Sequence, residues 1–532
     1  MKTAVKAAFF LALLVLGVRI HGDYGMAFDE VQQRYIALVS MKHIVEQVAP
    51  SRLPDKYKEV PALNDYYDRD YGVAVELPFL ALEALFRIDD KKDAFVFRHL
   101  LTFLLGVAGA FAVYRLASRR FLDWRIGLLA TLLFVVSPRL FADSFYNSKD
   151  GAFMAVFAIA MATTVSFVLR PSFLTAFLHA LATGFAIDVR IVAVMLALAT
   201  LAILAVRLVK GELPLRATLQ ALALYVLLTL AAVVAMWPWL WSDPIGHFAQ
   251  AFANMSKFRW NLNVLYMGEY IRSSQLPWHY IPVWIGITTP LLYLLLFVIG
   301  AVGTLTQIVR RNVTLWKGDA ELQDIVFLGL FAAPILAAIA TRAVLYDGWR
   351  QLYFLYPAFI LVAAKGWVVL WQIVPYRIAL RPLLVGMTAV SIAFTAAWMW
   401  RAHPYQNVYF NDLAGKNLRT RFEMDYWGLA NRRALEHILS VDKSPIVHVL
   451  NDAVTPVYFA FNIIDAAGRA RLRYSSDGQT PDYIVTNYRF SRPTDNTDQS
   501  DTRYAKDYDP FYRIEVDGEA ILAVFRHKSL AR

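Results

Sequence analysis

The feature that most constrains this chain is the recurrence of eleven long apolar stretches, near residues 3–20, 94–115, 126–142, 152–169, 173–187, 191–208, 217–236, 282–303, 325–341, 351–371 and 382–399. A helix needs about 20 apolar residues to cross the ~30 Å hydrocarbon core of a bilayer, and most of these stretches reach or approach that length. A globular core would not hide so much apolar surface: 58% of the 532 residues are hydrophobic, 18% are charged and the mean hydropathy is +0.43. The first stretch is short enough to be confused with a signal peptide, but no small-x-small cleavage site follows it, and it reads as a true span. The expected fold is mainly α, a polytopic membrane helix bundle of about 11 spans.

Lysine and arginine set the orientation. With the amino terminus inside, the cytoplasmic ends collect Lys2 and Lys6, then Arg115, Arg119, Arg120 and Arg125, then Arg207, Lys210 and Arg216, then Arg310, Arg311 and Lys317, then Arg377 and Arg381. The outer loops carry fewer, and an odd span count leaves everything after Trp400 outside. This placement at span ends explains the formal net charge of +11 as topology control, and nucleic acid is not an expected partner. There is no cysteine, so no disulfide, thiolate nucleophile or zinc-thiolate site is available. Chemistry rests on carboxylates, imidazoles, hydroxyls or a bound cation.

Three longer segments fall outside on this map. In residues 21–93, Val31, Tyr35, Leu38, Val39 and Ile44 give Glu30 to Gln47 the pattern of an amphipathic interfacial helix, and residues 73–86 are a second candidate. Residues 237–281 are rich in Trp, Tyr, Lys and Arg; Trp237, Trp239 and Trp241 read there as an interfacial aromatic belt. The chain divides into a membrane module, 1–400, and an extracytoplasmic α/β domain, 401–532. In the latter, Tyr426 to Ser440 reads as a helix, and Ile446 to Leu450, Tyr483 to Asn487 and the runs flanking Asp517-Gly518 read as strands.

The candidate chemistry is acidic. Asp29 and Glu30 follow the first span, at the bilayer surface, where a water-soluble acceptor and a membrane-borne substrate meet. Adjacent helical residues point about 100° apart, so one of them, Asp29, is expected to face the reacting atoms and Glu30 to support it. Capping of the interfacial helix is the plainer alternative. The short outer loop Asp143, Tyr146, Asn147, Lys149, Asp150, Gly151 supplies a second carboxylate; with Asp29 it would orient an acceptor hydroxyl or bind a divalent cation, and helix capping again competes. Asp68-Arg69-Asp70 is a DxD triplet without a glycine-rich nucleotide fold, and reads as solvated loop charge. Outer-face cations run against the topological bias: Arg190, Lys257, Arg259, Arg272, Arg342 and Arg350, the last following Tyr346-Asp347-Gly348. Arginine forks suit phosphate oxygens, so Arg190, Arg259, Arg272, Tyr346 and Arg350 form the expected phosphate-binding set, with lipid headgroup anchoring as the alternative. His247, His279 and His403 are too scattered for a metal site and read as structural.

The order of Phe28-Asp29-Glu30, Asn147-Ser148-Lys149-Asp150-Gly151, Trp239-Leu240-Trp241-Ser242-Asp243-Pro244 and Leu276-Pro277-Trp278-His279-Tyr280 resembles the integral-membrane glycosyltransferases of the GT-C type. Within these the chain is similar to the protein O-mannosyltransferases and lipid A aminoarabinose transferases over about residues 1–400. His403-Pro404-Tyr405 and Asp425-Tyr426-Trp427-Gly428 resemble stretches of bacterial members with an outer carboxy-terminal domain. The resemblance implies a GT-C-like bundle that moves a sugar from a polyprenyl-phosphate-linked donor to a protein, lipid or glycan hydroxyl, with Asp29 as catalytic carboxylate, Glu30 beside it and Asp150 in support. It also implies a bacterial inner membrane location with the site on the periplasmic side. A cation is optional, because a phosphomonoester departs easily. Where many members carry a basic residue or His followed by prolines, this chain has Tyr67-Asp68-Arg69-Asp70-Tyr71-Gly72. The rival reading, a transporter or flippase of lipid-linked sugars, predicts ionisable groups at span centres and internal repeats; the sequence places its charges at span ends and shows no repeat.

Overall fold

The computed structural model describes residues 2–256, 260, 262–373, 380–475, 479–490 and 501–530. Its helices run in chain order as α1 Lys2–Ile20, α2 Phe28–Val48, α3 Glu76–Leu85, α4 Lys91–Phe121, α5 Trp124–Val135, α6 Pro138–Tyr146, α7 Asp150–Leu169, α8 Phe173–Val189, α9 Val194–Val209, α10 Leu215–Met236, α11 Pro244–Ser256, α12 Tyr280–Thr288, α13 Leu291–Arg311, α14 Asp319–Ala340, α15 Tyr356–Ile373, α16 Leu380–Ala402, α17 Ala430–Val441 and α18 Ala466–Arg471. Among the described residues, nine of these segments are long and apolar enough to cross a membrane. α5 and α6 are the expected span 126–142 broken by a 73° bend. The break falls at Ser137-Pro138, where proline cannot donate to the helix ladder and turns residue 137 to an extended conformation. α8 has 17 residues. The expected span 282–303 is also corrected: the chain breaks at Thr289-Pro290, and the long helix begins at Leu291.

Contacts between loops sort the helix ends into two groups. At one end, Arg120 donates to both oxygens of Asp324, and Lys365 Nζ lies 2.7 Å from the same carboxylate. There too, Arg207 reaches the Leu169 carbonyl, Lys210 reaches that of Thr314, and Arg311 grips Glu321. The basic clusters after the second, sixth and eighth expected spans therefore share one end. At the other end His403, after α16, lies 2.9 Å from Asp23, after α1. α8, though short, joins the two groups, since Arg190 at its end meets Asp150.

Between α1 and α4, α2 starts where expected, but its buried face differs. Of the expected face only Val39 is fully buried, with Glu30, Gln33, Ile36, Ala37, Ser40 and Lys42, whereas Val31, Tyr35, Leu38 and Ile44 are half-buried. The polar members are held by partners inside the protein: Lys42 Nζ donates to the carbonyls of Lys58 and Val60, and Arg34 donates to Glu83 of α3. The expected aromatic belt is corrected too. Trp237 and Trp239 are buried in protein, Trp239 stacking on His247 at 4.4 Å, and only Trp241 is exposed.

Strands β1 Asn263–Tyr266 and β2 Glu269–Arg272 form a hairpin in the long loop before α12. The carboxy-terminal region holds a five-stranded sheet of β3 Val447–Asn451, β4 Leu472–Tyr474, β5 Tyr483–Thr486, β6 Tyr508–Val516 and β7 Glu519–His527, in the order β4-β3-β5-β7-β6. β3 pairs parallel with β4 and β5, and the β6–β7 hairpin turns at Asp517-Gly518, both at positive φ. α17 lies against this sheet. Gly25 carries the first loop onto the backbone of Leu429, where a Cβ would overlap the Leu429 carbonyl oxygen, so first loop and carboxy-terminal region touch main chain to main chain.

Candidate active site

Arg350 is the centre of the end where these loops converge. It opens a 3-10 turn leading into α15, is 2% exposed, and is surrounded by carboxylates. Its Nη1 donates to Asp150 Oδ2 at 2.8 Å and to Asp29 Oδ2 at 3.3 Å, and its Nε donates to Asp347 Oδ2 at 3.1 Å. Its guanidinium lies over the rings of Trp427, 4.6 Å, and Tyr346, 4.9 Å. One planar fork thus joins α2, α7, the loop before α15 and the carboxy-terminal region.

The carboxylates differ in access: the side chains of Asp347 and Asp150 are 0% and 1% exposed, that of Asp29 is 18% exposed. Asp150 is fixed by its own backbone N–H, which donates to Asn147 Oδ1 at 2.7 Å, and by Arg190, which pairs with its second oxygen. Gly151 is required beside it, because a Cβ there would fall 2.5 Å from the Asp143 carbonyl oxygen. Asp143 in turn accepts from Asn147 and from Trp427 Nε1.

Two cations are less completely used. The Nε of Arg190 is buried without a hydrogen-bond partner among the described residues, and burial draws its guanidinium down to about 10. Lys149 Nζ sits 3.8 Å above the centre of the Tyr71 ring. Burial pulls its pKa to about 7, Asp29 and Asp68 acting upward and Arg190 and Arg350 downward. Tyr346, pushed up to about 12 chiefly by burial, stacks on Trp260 at 4.3 Å.

Glu30 points elsewhere. Its Oε1 accepts from the Ala27 N–H at 2.7 Å, closing the start of α2, and its Oε2 meets His99 Nε2 of α4 at 3.0 Å. Burial raises its pKa against the pull of His99. Below it, Arg98 ties Glu83 and Glu76, at 2.7 and 2.6 Å. These contacts lock α2 onto α4 and fix the direction of Asp29, which begins the same helix.

The structure therefore brings together Asp29, Asp150, Arg190, Tyr346 and Arg350, with Glu30 one layer behind. Arg272 stands exposed at the end of β2 and takes no part in the ion pairs around Arg350. Arg259 lies outside the described residues. Asp70 of the triplet is not solvated, as its sequence context suggested; it is 2% exposed and accepts from Asn254 Nδ2 at 2.9 Å. Among the described residues no group of three or more His, Cys, Asp or Glu side chains is placed to hold a metal ion. Lys149 was visible in its motif without an assigned role. Asp347 too was visible, in Tyr346-Asp347-Gly348, without an assigned role; Glu423 and Arg489 carry no signal in the sequence, because they reach Asp347 and each other from distant segments.

Residues 78–239, which include Lys149, Asp150 and Arg190, match the family described as dolichyl-phosphate-mannose-protein mannosyltransferase. No curated protein sequence matches the chain. Among solved structures, the fold is similar to the oligosaccharyltransferase of Archaeoglobus fulgidus in the apo form, with TM-score 0.50 and 12% identity, over 87% of this chain and 64% of that one. ArnT from Cupriavidus metallidurans bound to undecaprenyl phosphate aligns over 97% of each chain, with TM-score 0.48 and 13% identity. Residues 78–239 are thus similar in sequence to the dolichyl-phosphate-mannose-protein mannosyltransferases, and the polytopic helical fold is similar to that of a membrane oligosaccharyltransferase.

Proposed function

We propose that Asp29 is the catalytic carboxylate of a sugar transfer from a polyprenyl-phosphate-linked donor, and that Lys149, Arg190 and Arg350 hold the donor phosphate. The observation that carries this reading is the difference in access among three carboxylates on one arginine: Asp29 alone is open to an acceptor, while Asp150 and Asp347 are sealed. The matched family is named for a dolichyl-phosphate-mannose donor, which is a sugar on a polyprenyl phosphate.

In this reading the acceptor hydroxyl attacks the anomeric carbon while its proton passes to Asp29. The bond from that carbon to the phosphate oxygen breaks, its electron pair leaving with the polyprenyl phosphate and the anomeric configuration inverting. The cations neutralise the charge that gathers on the departing phosphate. Asp150, paired with both Arg350 and Arg190, holds the two in place, which fixed donors require if they are to act without reorganising. Among the described residues Lys149 carries no hydrogen-bonded carboxylate, which leaves its ammonium the most available of the three. Glu30, bound to His99, orients Asp29 from behind.

The basic helix ends gather opposite this site, which supports an extracytoplasmic position for the site and for the carboxy-terminal region, in an inner membrane of bacterial type. The acceptor is a hydroxyl of protein, lipid or glycan. Purified full-length protein in lipid, given a panel of polyprenyl-phosphate sugars and followed by release of the polyprenyl phosphate, tests the assignment. Consumption of at least one donor by the wild type and its loss in Asp29→Asn is expected. No consumption of any donor would overturn the reading in favour of a carrier.

A further inference from the structure

Arg489 follows β5 in the carboxy-terminal region, yet its guanidinium is buried at the centre of the candidate site. Its Nη1 donates to the Tyr426 carbonyl and the Thr455 hydroxyl, both at 3.2 Å, and its Nη2 pairs with Asp347 Oδ1. The other oxygen of Asp347 accepts from Arg350. The guanidinium also lies 5.8 Å from the ring centre of Phe28, the residue before Asp29, and 6.0 Å from that of Trp260. Asp347 is therefore a shared carboxylate, with one arginine from the membrane bundle and one from the sheet region. Its backbone is at φ +56°, a conformation that aspartate tolerates better than most residues and that aims both oxygens inward.

The charge count shows why the sharing matters. Arg350 faces three carboxylates, Asp29, Asp150 and Asp347, and Arg190 offsets only Asp150. With Arg489 taking half of Asp347, Arg350 keeps positive charge for a phosphate; without it, Asp347 is a full counter-ion to Arg350. Glu423 is the remaining competitor, its Oε1 3.9 Å from Arg489 Nε. Burial, then the charge of Asp347, pushes the Glu423 carboxyl up, which weakens its claim on Arg489, 3.9 Å away, relative to the directly paired Asp347. The sheet region is fastened at the same place: Asn487 donates to the Asp425 carbonyl at 2.8 Å, and Trp427 packs on Arg350.

We propose that Arg489 is a positioning residue of the transfer site: by sharing Asp347 it leaves more of the Arg350 charge uncompensated and free to face the donor phosphate, which makes the carboxy-terminal sheet region a working part of the site. This rests on the donor-phosphate reading above. The test uses full-length protein in lipid nanodiscs and undecaprenyl phosphate as probe, since transfer from any polyprenyl-phosphate-linked donor leaves a polyprenyl phosphate of this kind at the site. Arg489→Ala is expected to weaken binding about tenfold, and Asp347→Asn added to it to restore affinity to within about threefold, because the pair of changes returns the local charge to its wild-type value. Arg489→Lys is expected to fall between. A purely structural role for Arg489 gives losses that add instead of cancelling, and so overturns the proposal, as does wild-type affinity in Arg489→Ala. Should Arg489→Ala fail to fold, Asp347→Asn alone decides: it is expected to tighten binding several-fold, and no tightening refutes the charge argument. If wild-type protein binds no undecaprenyl phosphate, the functional reading itself falls, an outcome distinct from either.

Discussion

Replacing Lys149 by methionine removes the cation that, among the described residues, has no hydrogen-bonded carboxylate, and keeps an unbranched side chain over Tyr71. The fall from the ordinary 10.5 to about 7 corresponds to about 5 kcal/mol of unfavourable burial of the ammonium. A donor phosphate arriving beside it offsets part of that cost. A hydrogen bond to a charged group contributes about 1.5–3 kcal/mol, so Lys149→Met is expected to raise donor KM about 10- to 150-fold with a smaller change in kcat. The pH dependence carries more information. Lys149 is charged below about 7 and neutral above it in the unliganded protein, so wild-type donor KM is expected to be flat below pH 7 and to climb toward a tenfold rise for each further pH step of one. The donor is a phosphodiester and does not titrate there, so the climb belongs to the protein. Lys149→Arg stays charged throughout and flattens the profile; Lys149→Met flattens it at the higher KM. Steady-state release of polyprenyl phosphate between pH 6 and 8.5 measures all three. A flat wild-type profile, with Lys149→Met indistinguishable from it, would refute the assignment of Lys149 to the phosphate.

Asp29→Asn removes the proton acceptor and one of the carboxylates facing Arg350, and is expected to lower transfer by about 10²- to 10⁴-fold while undecaprenyl phosphate binding is kept or tightened; equal loss of both makes Asp29 a scaffold. Arg350→Lys keeps one charge but cannot serve three carboxylates from a planar fork, so transfer is expected to fall at least about 100-fold, checked against the thermal unfolding midpoint in detergent. His99→Ala strands the buried Glu30 carboxyl with only the Ala27 N–H, at about 3 kcal/mol, and lowers the unfolding midpoint. Glu30→Gln can keep both hydrogen bonds, and is expected to fold normally and to retain more activity than His99→Ala.

The broad architecture was legible because it follows from local patterns. Apolar runs long enough for a bilayer fix where helices cross, basic residues at alternate ends fix which ends cluster, and turn residues such as Asp517-Gly518 fix a hairpin whatever surrounds them. Where proline interrupted a run, at Pro138 and Pro290, the run alone overstated the helix, since hydropathy is blind to a missing N–H. The acidic half of the site was legible as well, because Asp29 and Asp150 each sit in a short polar segment at a span end.

Which cation meets which carboxylate was settled only by the tertiary structure. Arg190, Arg272 and Arg350 look alike along the chain, yet two are drawn into one buried cluster and the third lies in solvent at the end of a hairpin. Asp347 and Arg489 are 142 positions apart, and Trp427 and Asp143 are 284 apart; no periodicity links them. The physical reason is that a buried charge is tolerated only beside its partner, and the partner is chosen by whatever segment the packing of the bundle brings within about 3 Å. Sequence determined that this protein is a membrane bundle with carboxylates at one face; folding alone decided that a residue beyond β5 would share Asp347 with the arginine at the centre of the site.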